Sequence, residues 1–205
     1  MAMSSILGSM SNYLKLKQEV NDVTIVVASK YMSIDEMNTL YQAGARDFGE
    51  NRSDALLHKI NHLPKDIKWH FIGHLQSNKV KSIINKIDYL HSLDRLSLAK
   101  AIQKYRKTPL KCFIQINMTQ ETHKSGIAFK DVDKFLFYLN KYDKIQVIGF
   151  MVMGVYDDLS STEEIFKTLE SIKGDYKLSM GMSDDYKLAL KHHTDFIRIG
   201  SLLKE

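Results

Sequence analysis

Short apolar strand patterns alternate with helical patterns along most of this chain. The strand patterns cover residues 23–30, 45–50, 67–73, 88–93, 110–118, 145–153, 176–180 and 195–200. One helical pattern separates each strand from the next and no hairpin signal joins two of them, so we expect right-handed crossovers and a parallel sheet. Eight such units can close the sheet on itself. The sequence therefore predicts an α/β fold, a (β/α)8 TIM barrel that forms a single domain over residues 1–205.

A doubly wound open sheet is the alternative architecture. The strand count argues against it, and so does the lack of a Gly-x-Gly-x-x-Gly turn after the first strand. After the eighth strand only Ser201-Leu-Leu-Lys-Glu205 remains, so the eighth helix is nearly absent. We expect a helix from residue 4 to about residue 20 to cover that side of the barrel. Two helix starts, Ser33-Ile-Asp-Glu36 and Ser161-Thr-Glu-Glu164, are predicted to be capping boxes.

The composition excludes several classes of protein. Hydrophobic residues make up 44% of the chain, which is enough for a sizeable core, yet no segment approaches the roughly 18 apolar residues of a membrane span. No export signal is seen at the amino terminus, and the single cysteine, Cys112, rules out an internal disulfide framework, so a cytoplasmic location is expected. The net charge of +5 is spread over most helices without a nucleic-acid motif, so no nucleic-acid partner is expected.

Two basic residues lie within or at the end of buried strands. Lys30 ends the apolar run that starts at Val23, and in such barrels the chemistry is carried by groups at the carboxyl ends of strands. The plain alternative is a lysine that simply leaves the core. Arg198 interrupts the apolar strand Phe196-Ile-Arg-Ile199, and a buried guanidinium needs either a carboxylate from a neighbouring strand or an acceptor on a ligand. Asn51, after the second strand, can supply an amide to the same mouth.

Glycines and serines follow the last two strands, where barrels of this type frequently hold a phosphate. The first loop is Ser179-Met-Gly-Met-Ser183 and the second is Gly200-Ser201. Taken singly, Ser183 could be an ordinary helix N-cap and Gly200 an ordinary turn, and the two aspartates after Ser183 oppose an anion. Together with Lys30 and Arg198 these loops describe a pocket for a phosphorylated aldehyde, because a lysine amine near another cation can form a Schiff base. Pyridoxal 5'-phosphate (PLP) has the required parts.

Seven segments carry a family resemblance. They are Val27-Ala-Ser-Lys30, Phe48-Gly-Glu-Asn51, Trp69-His-Phe-Ile-Gly73, Leu75-Gln-Ser-Asn-Lys79, His123-Lys-Ser-Gly126, Leu178-Ser-Met-Gly-Met-Ser-Asp-Asp185 and Ile197-Arg-Ile-Gly200. The chain resembles the pyridoxal phosphate homeostasis proteins, single-domain relatives of the barrel half of alanine racemase. It departs from their pattern at Tyr31, where a smaller residue is usual, and at Ser201, where threonine is common.

The resemblance implies a cofactor site and a role for each residue in it. Lys30 would be the Schiff-base lysine and Arg198 would face the pyridine nitrogen of PLP. Ser183, Gly200 and Ser201 would hold the phosphate, and Asn51 would lie beside the ring.

A carrier is expected rather than an enzyme, because an arginine opposite the ring nitrogen weakens the cofactor as an electron sink. In the racemase relatives a second acid/base comes from another domain, for which this chain has no residues left. The expectation is therefore a monomeric, cytoplasmic protein of vitamin B6 metabolism that buffers PLP and passes it to apo-enzymes, with no catalytic residue and no membrane contact.

Two other functions stay open. One is a small racemase-like enzyme that takes a base from Tyr31, His74 or Lys124. The other is a barrel isomerase that holds a sugar phosphate. No metal site is expected, because His58 and His62 lie at helical spacing without a third ligand nearby.

Overall fold

The computed structural model describes residues 2–119 and 124–204, which form a closed barrel of parallel strands. The strands are β1 Thr24–Ala28, β2 Asp47–Glu50, β3 Lys68–Phe71, β4 Tyr89–Leu93, β5 Leu110–Asn117, β6 Ile127–Ala128, β7 Ile145–Val152, β8 Lys177–Ser179 and β9 Phe196–Ile199. Every neighbouring pair is parallel, β4 pairs with β5, and β9 pairs with β1 to close the cylinder. The predicted (β/α)8 barrel is therefore confirmed.

One strand was not predicted. The two-residue strand β6 pairs with the end of β5, where Ile127 is opposite Ile116, and it stands outside the eight-stranded cylinder. His123, which begins the predicted loop motif before this strand, lies outside the described residues, as do both ends of the predicted domain.

The helices pack around the outside of the barrel. They are α1 Ala2–Val20, α2 Ile34–Gln42, α3 Ser53–His62, α4 Val80–Ile83, α5 Leu96–Tyr105, α6 Val132–Leu139, α7 Leu159–Ile172, α8 Tyr186–Lys191 and α9 Ser201–Lys204. Short 3-10 turns at Ser77–Lys79 and Phe129–Asp131 lead into α4 and α6. Within residues 2–119 and 124–204, no helix has both the length and the apolar character needed to cross a membrane.

The two predicted capping boxes have different outcomes. The first is confirmed, since the Glu36 amide donates to the Ser33 hydroxyl at 3.1 Å and the Ser33 amide donates to the Glu36 carboxylate at 2.7 Å. The second is wrong, because α7 begins at Leu159. Asp158 is its N-cap, and the Asp158 carboxylate accepts the amide of Ser161 at 2.9 Å. An acidic side chain upstream of the serine thus starts the helix earlier than the predicted box.

Helix α1 covers the barrel where the eighth helix is short, as expected. Tyr13, Leu16 and Val20 of α1 are buried, and the Asn12 side chain donates to the carbonyl of Leu202 in α9. Beyond β9, the described residues form the four-residue helix α9. The first helix therefore supplies the apolar surface that a full last helix would provide.

The strands bury both of their faces, and this positions the site. Their outward side chains join the main core beneath the helices, while Val26, Phe113, Met151 and Phe196 form a separate cluster inside the barrel. Because successive residues of a strand face opposite sides, residues two apart share the interior. The inward positions near the carboxyl ends of the strands are therefore available to form a polar mouth.

Candidate functional site

The carboxyl ends of β1, β2, β8 and β9 meet at one end of the barrel. Lys30 follows β1, Asn51 follows β2, Ser183 follows β8 and Gly200 follows β9. Since β1 pairs in parallel with both β2 and β9, these residues belong to one rim. The Lys30 residue is exposed, and its Nζ lies 4.9 Å from the centroid of the Tyr31 ring. The structure thus places the predicted lysine at the rim of the mouth, next to Tyr31.

A buried ion pair holds the backbone directly before Lys30. The Lys59 ammonium group pairs with the Glu50 carboxylate, and the two side chains are 9% and 1% exposed. Lys59 also donates to the carbonyl of Ser29 at 2.6 Å, while the Ser29 hydroxyl donates to Glu50 at 2.8 Å. This cluster was not predicted from the sequence, and it fixes the direction in which the chain leaves β1.

Arg198 is buried and is bound by neutral acceptors. Its Nη1 donates to the Ser179 carbonyl at 3.0 Å and to the Ser179 hydroxyl at 2.6 Å, and its Nη2 donates to the Val152 carbonyl at 3.1 Å and the Met153 sulfur at 3.4 Å. Burial lowers the pKa of Arg198 to about 10, although Asp185 acts in the opposite direction.

No carboxylate within residues 2–119 and 124–204 pairs with Arg198, so the first of the two partners left open by the sequence, a carboxylate from a neighbouring strand, is not found there. The Nε–H group makes no hydrogen bond to the described part of the chain. One donor of a buried cation is therefore left for a ligand.

The two predicted phosphate loops lie side by side. The Ser183 hydroxyl accepts the amide of Leu202 at 3.1 Å, and the Arg198 amide donates to the Gly181 carbonyl at 2.8 Å. A Cβ at Gly200 would lie 2.9 Å from the carbonyl oxygen of Ala28, so only glycine allows this approach to β1. Ser183 is not the N-cap of α8, since that position is Asp185. The ordinary N-cap interpretation of Ser183 is thus wrong.

Two cavities flank this mouth. One of about 680 Å³ is lined in part by Lys124, Met182, Asp185 and Met153, and the Met153 sulfur accepts from Arg198. The other, of about 380 Å³, contains Asn51, His74 and Lys79 in its walls. A larger groove of about 970 Å³ lies on the outer surface near α6 and the end of α7, and none of the predicted site residues lines it. Among the described residues no group of His, Cys, Asp or Glu is arranged to hold a metal ion.

Comparison with known sequences identifies the family of this chain. Residues 10–204 match the family described as alanine racemase, N-terminal domain. A pyridoxal phosphate homeostasis protein of Helicobacter pylori (strain ATCC 700392 / 26695) is 36% identical over 194 residues, which cover 88% of this chain and 86% of that protein. The chain belongs to the pyridoxal phosphate homeostasis protein family. A second member, from Schizosaccharomyces pombe, is 32% identical over 204 residues, covering 91% of this chain and 86% of that protein. The predicted family is confirmed.

Solved structures of related proteins share the barrel. PipY of Synechococcus elongatus PCC7942, solved with PLP bound, superposes with a TM-score of 0.84 at 26% identity and covers 96% of this chain and 100% of its own. Alanine racemase from Bartonella henselae, solved with covalently bound pyridoxal phosphate, has a TM-score of 0.76 at 18% identity. That comparison covers 97% of this homeostasis-family chain and 58% of the racemase, and it shows a common fold.

Proposed function

We propose that this chain binds pyridoxal 5'-phosphate reversibly as a Schiff base on Lys30 and acts in intracellular PLP homeostasis. In this role it buffers the reactive aldehyde and delivers it to apo-enzymes without catalysing a reaction of its own. The family membership and the PLP-bound structure of PipY support the proposal. The observation that carries it is Arg198, a buried cation at the mouth of the barrel with no carboxylate partner in the described chain and one N–H group to spare.

The residues at the mouth fit the parts of the cofactor. Lys30 offers an amine for the aldehyde, and Arg198 offers a donor for the pyridine nitrogen. Asn51 would lie beside the ring, and Ser183, Gly200 and Ser201 would hold the phosphate, since their loops are already joined through the Ser183 hydroxyl. When bound, PLP supplies an electrophilic carbonyl that condenses with amines.

Electronic reasoning favours a carrier over an enzyme. A guanidinium that donates to the ring nitrogen leaves that nitrogen without a proton of its own, which weakens the cofactor as an electron sink. A racemase-like reaction would also need an acid/base on the far face of the substrate. The candidates are Tyr31, which is 75% exposed, and His74 and Lys124, which line separate cavities.

We also propose that the protein is a monomer, that it is located in the cytoplasm and that its partners are PLP-dependent apo-enzymes. Sedimentation of the PLP-loaded protein measures its oligomeric state directly. Recovery of activity by an apo-enzyme mixed with the loaded protein measures delivery, with free PLP at the same concentration as the reference.

Chemical trapping tests the central claim. The protein is incubated with PLP, reduced with borohydride and digested, and the peptide that has gained a pyridoxyl phosphate mass is identified. We expect the label on Lys30, its loss in Lys30→Arg, and its retention in Lys79→Arg, which replaces another exposed lysine of the same mouth. A label on Lys124 in the wild type would overturn the assignment. Steady racemisation of an amino acid that is lost in Lys30→Ala would favour the enzyme, and a colourless protein that binds sugar phosphates would favour the isomerase.

A further inference from the structure

A chain of hydrogen bonds crosses the interior of the barrel behind Arg198. Asp47 lies 2.8 Å from Nε2 of His70, and Nδ1 of His70 lies 2.8 Å from Nε2 of His91. Nδ1 of His91 lies 2.8 Å from the hydroxyl of Ser179, which in turn accepts Nη1 of Arg198 at 2.6 Å. These five side chains come from five strands, β2, β3, β4, β8 and β9. We call this set the interior relay.

Asp47 and Arg198, the two ends of the interior relay, determine which atom donates in each of its hydrogen bonds. Burial lowers the pKa of His70, although the hydrogen bond to Asp47 acts in the opposite direction, and it lowers the pKa of His91 well below its usual range. Both shifts favour the neutral ring. A neutral imidazole has one donor and one acceptor, an ionised carboxylate only accepts, and a guanidinium only donates. Arg198 therefore donates to Ser179, Ser179 to His91, His91 to His70, and His70 to Asp47. Each histidine carries its proton on Nε2.

Packing holds the two imidazole rings in place. His70 stacks on Tyr89 with ring centroids 4.3 Å apart and an angle of 2° between the planes. His91 stacks on Phe113 at 4.5 Å and 26°, and Phe196 meets it edge-on at 5.9 Å. Both histidines are fully buried. Neither ring can turn without disturbing an aromatic neighbour, so the order of donors is set by the fold.

The relay determines which part of Arg198 stays available. The Ser179 hydroxyl donates its proton to His91, so the lone pairs of its oxygen remain to accept a hydrogen bond from Nη1 of Arg198. Nη2 is held by Val152 and Met153, which leaves Nε–H. We propose that His91, His70 and Asp47 are positioning residues for Arg198 that keep its Nε–H group available to the ring nitrogen of bound PLP. This inference rests on the proposed function, and it assigns a role to three residues behind the cofactor pocket.

The first experiment uses the protein without cofactor. Long-range proton–nitrogen NMR spectra of protein with labelled histidine distinguish the Nε2–H tautomer, the Nδ1–H tautomer and the charged ring. We expect His70 and His91 to be neutral Nε2–H tautomers at pH 7. A charged ring or an Nδ1–H tautomer at either position would overturn the direction of the relay.

The second experiment uses PLP labelled at the ring nitrogen. His91→Phe preserves the stacking volume but removes the acceptor of Ser179, and Asp47→Asn keeps the shape while allowing donation toward His70. We expect His91→Phe to weaken PLP binding about tenfold and to move both the ring-nitrogen resonance and the visible absorbance, with a smaller shift in the same direction for Asp47→Asn. Tyr89→Phe, which keeps the ring stacked on His70, is the matched control and is expected to match the wild type.

The outcomes separate the two proposals. Unchanged cofactor spectra in both variants, with binding intact, would overturn the positioning role and leave the proposed function standing. If the wild type takes up no PLP, the proposed function fails and takes the positioning role with it. If His91→Phe fails to fold, the spectra of Asp47→Asn alone test the positioning role, because asparagine has the same shape as aspartate and leaves the packing undisturbed.

Discussion

The Lys59 ammonium group and the Glu50 carboxylate form a buried ion pair beneath the loop that carries Lys30. Both partners also bind Ser29, the residue before Lys30, one through its carbonyl and the other through its hydroxyl. A charge in this position is satisfied only while its partner is present. The pair therefore couples the stability of the barrel to the geometry of its mouth.

Removing the cation of this pair is expected to destabilise the protein. Lys59→Met leaves the Glu50 carboxylate buried without a counter-charge, which should lower the free energy of unfolding by about 3–5 kcal/mol. Urea denaturation measures the change. Lys191→Met, in a surface pair with Glu163, is the control and should cost far less, because solvent screens such pairs. Equal losses in the two variants would contradict the buried role of Lys59.

Replacing each of two buried serines by alanine should change the free energy of unfolding differently. The Ser92 hydroxyl has no hydrogen-bond partner within the described residues, whereas Ser179 serves both His91 and Arg198. Ser92→Ala should therefore be neutral or stabilising, and Ser179→Ala should cost about 1–3 kcal/mol. Thermal and urea unfolding of the pair check this. A clear loss of stability in Ser92→Ala would mean that its hydroxyl has a partner after all.

Two glycines make a second matched pair. A Cβ at Gly149 in β7 would lie 2.0 Å from the carbonyl oxygen of Lys177, in the neighbouring strand β8, while one at Gly8 in α1 meets nothing within 4 Å. We expect Gly149→Ala to lower the free energy of unfolding by about 3 kcal/mol or more. Gly8→Ala should raise it by about 0.5–1 kcal/mol, because alanine favours a helix interior. Denaturation curves that rank the variants the other way would refute the close β7–β8 contact.

Acid should weaken the contact between α7 and the end of α8. A hydrogen bond from Lys191 lowers the pKa of Glu163, and one from His193 lowers the pKa of Glu170. Carboxylates with lowered pKa values stabilise the fold above their ordinary value of 4.5, and this contribution is lost as the pH falls through the lowered values. The melting temperature should thus drop between about pH 5 and pH 3, and less steeply in Glu163→Gln/Glu170→Gln. Parallel pH profiles for the two proteins would contradict this.

The barrel could be predicted because each of its strands buries both faces. Such strands appear as short apolar runs, as in Thr24–Ala28, and their number and spacing indicated the closed sheet. The two residues of β6 are too few to make a pattern. In the sequence, Val80, Ile83, Ile84 and Ile87 recur at helical spacing, which predicts their burial but not the length of the helix. Ile84 and Ile87 are buried although α4 ends at Ile83.

Lys30, Asn51 and Gly200 were predicted as site residues from their chain position, because each comes shortly after the end of a strand. The structure places all three at one rim of the barrel. His70, His91 and Ser179 were missed as a group, because they lie on three strands and their meeting inside the barrel depends on its closure and register. The sequence signal that could have identified these three residues is a polar side chain at an inward-facing position of each otherwise apolar strand. Lys59 gave no such signal, since it lies on a surface helix, where a lysine is ordinarily exposed.

The pairing of β9 with β1 joins the last strand of the barrel to the first. During synthesis, β1 and its lysine leave the ribosome long before β9 exists to complete the cylinder, and contacts this distant in sequence form late in folding. Until then a nascent chain has Lys30 but neither Arg198 nor the Gly200-Ser201 loop beside it. Under the proposed function, the cofactor site is therefore complete only once the cylinder has closed.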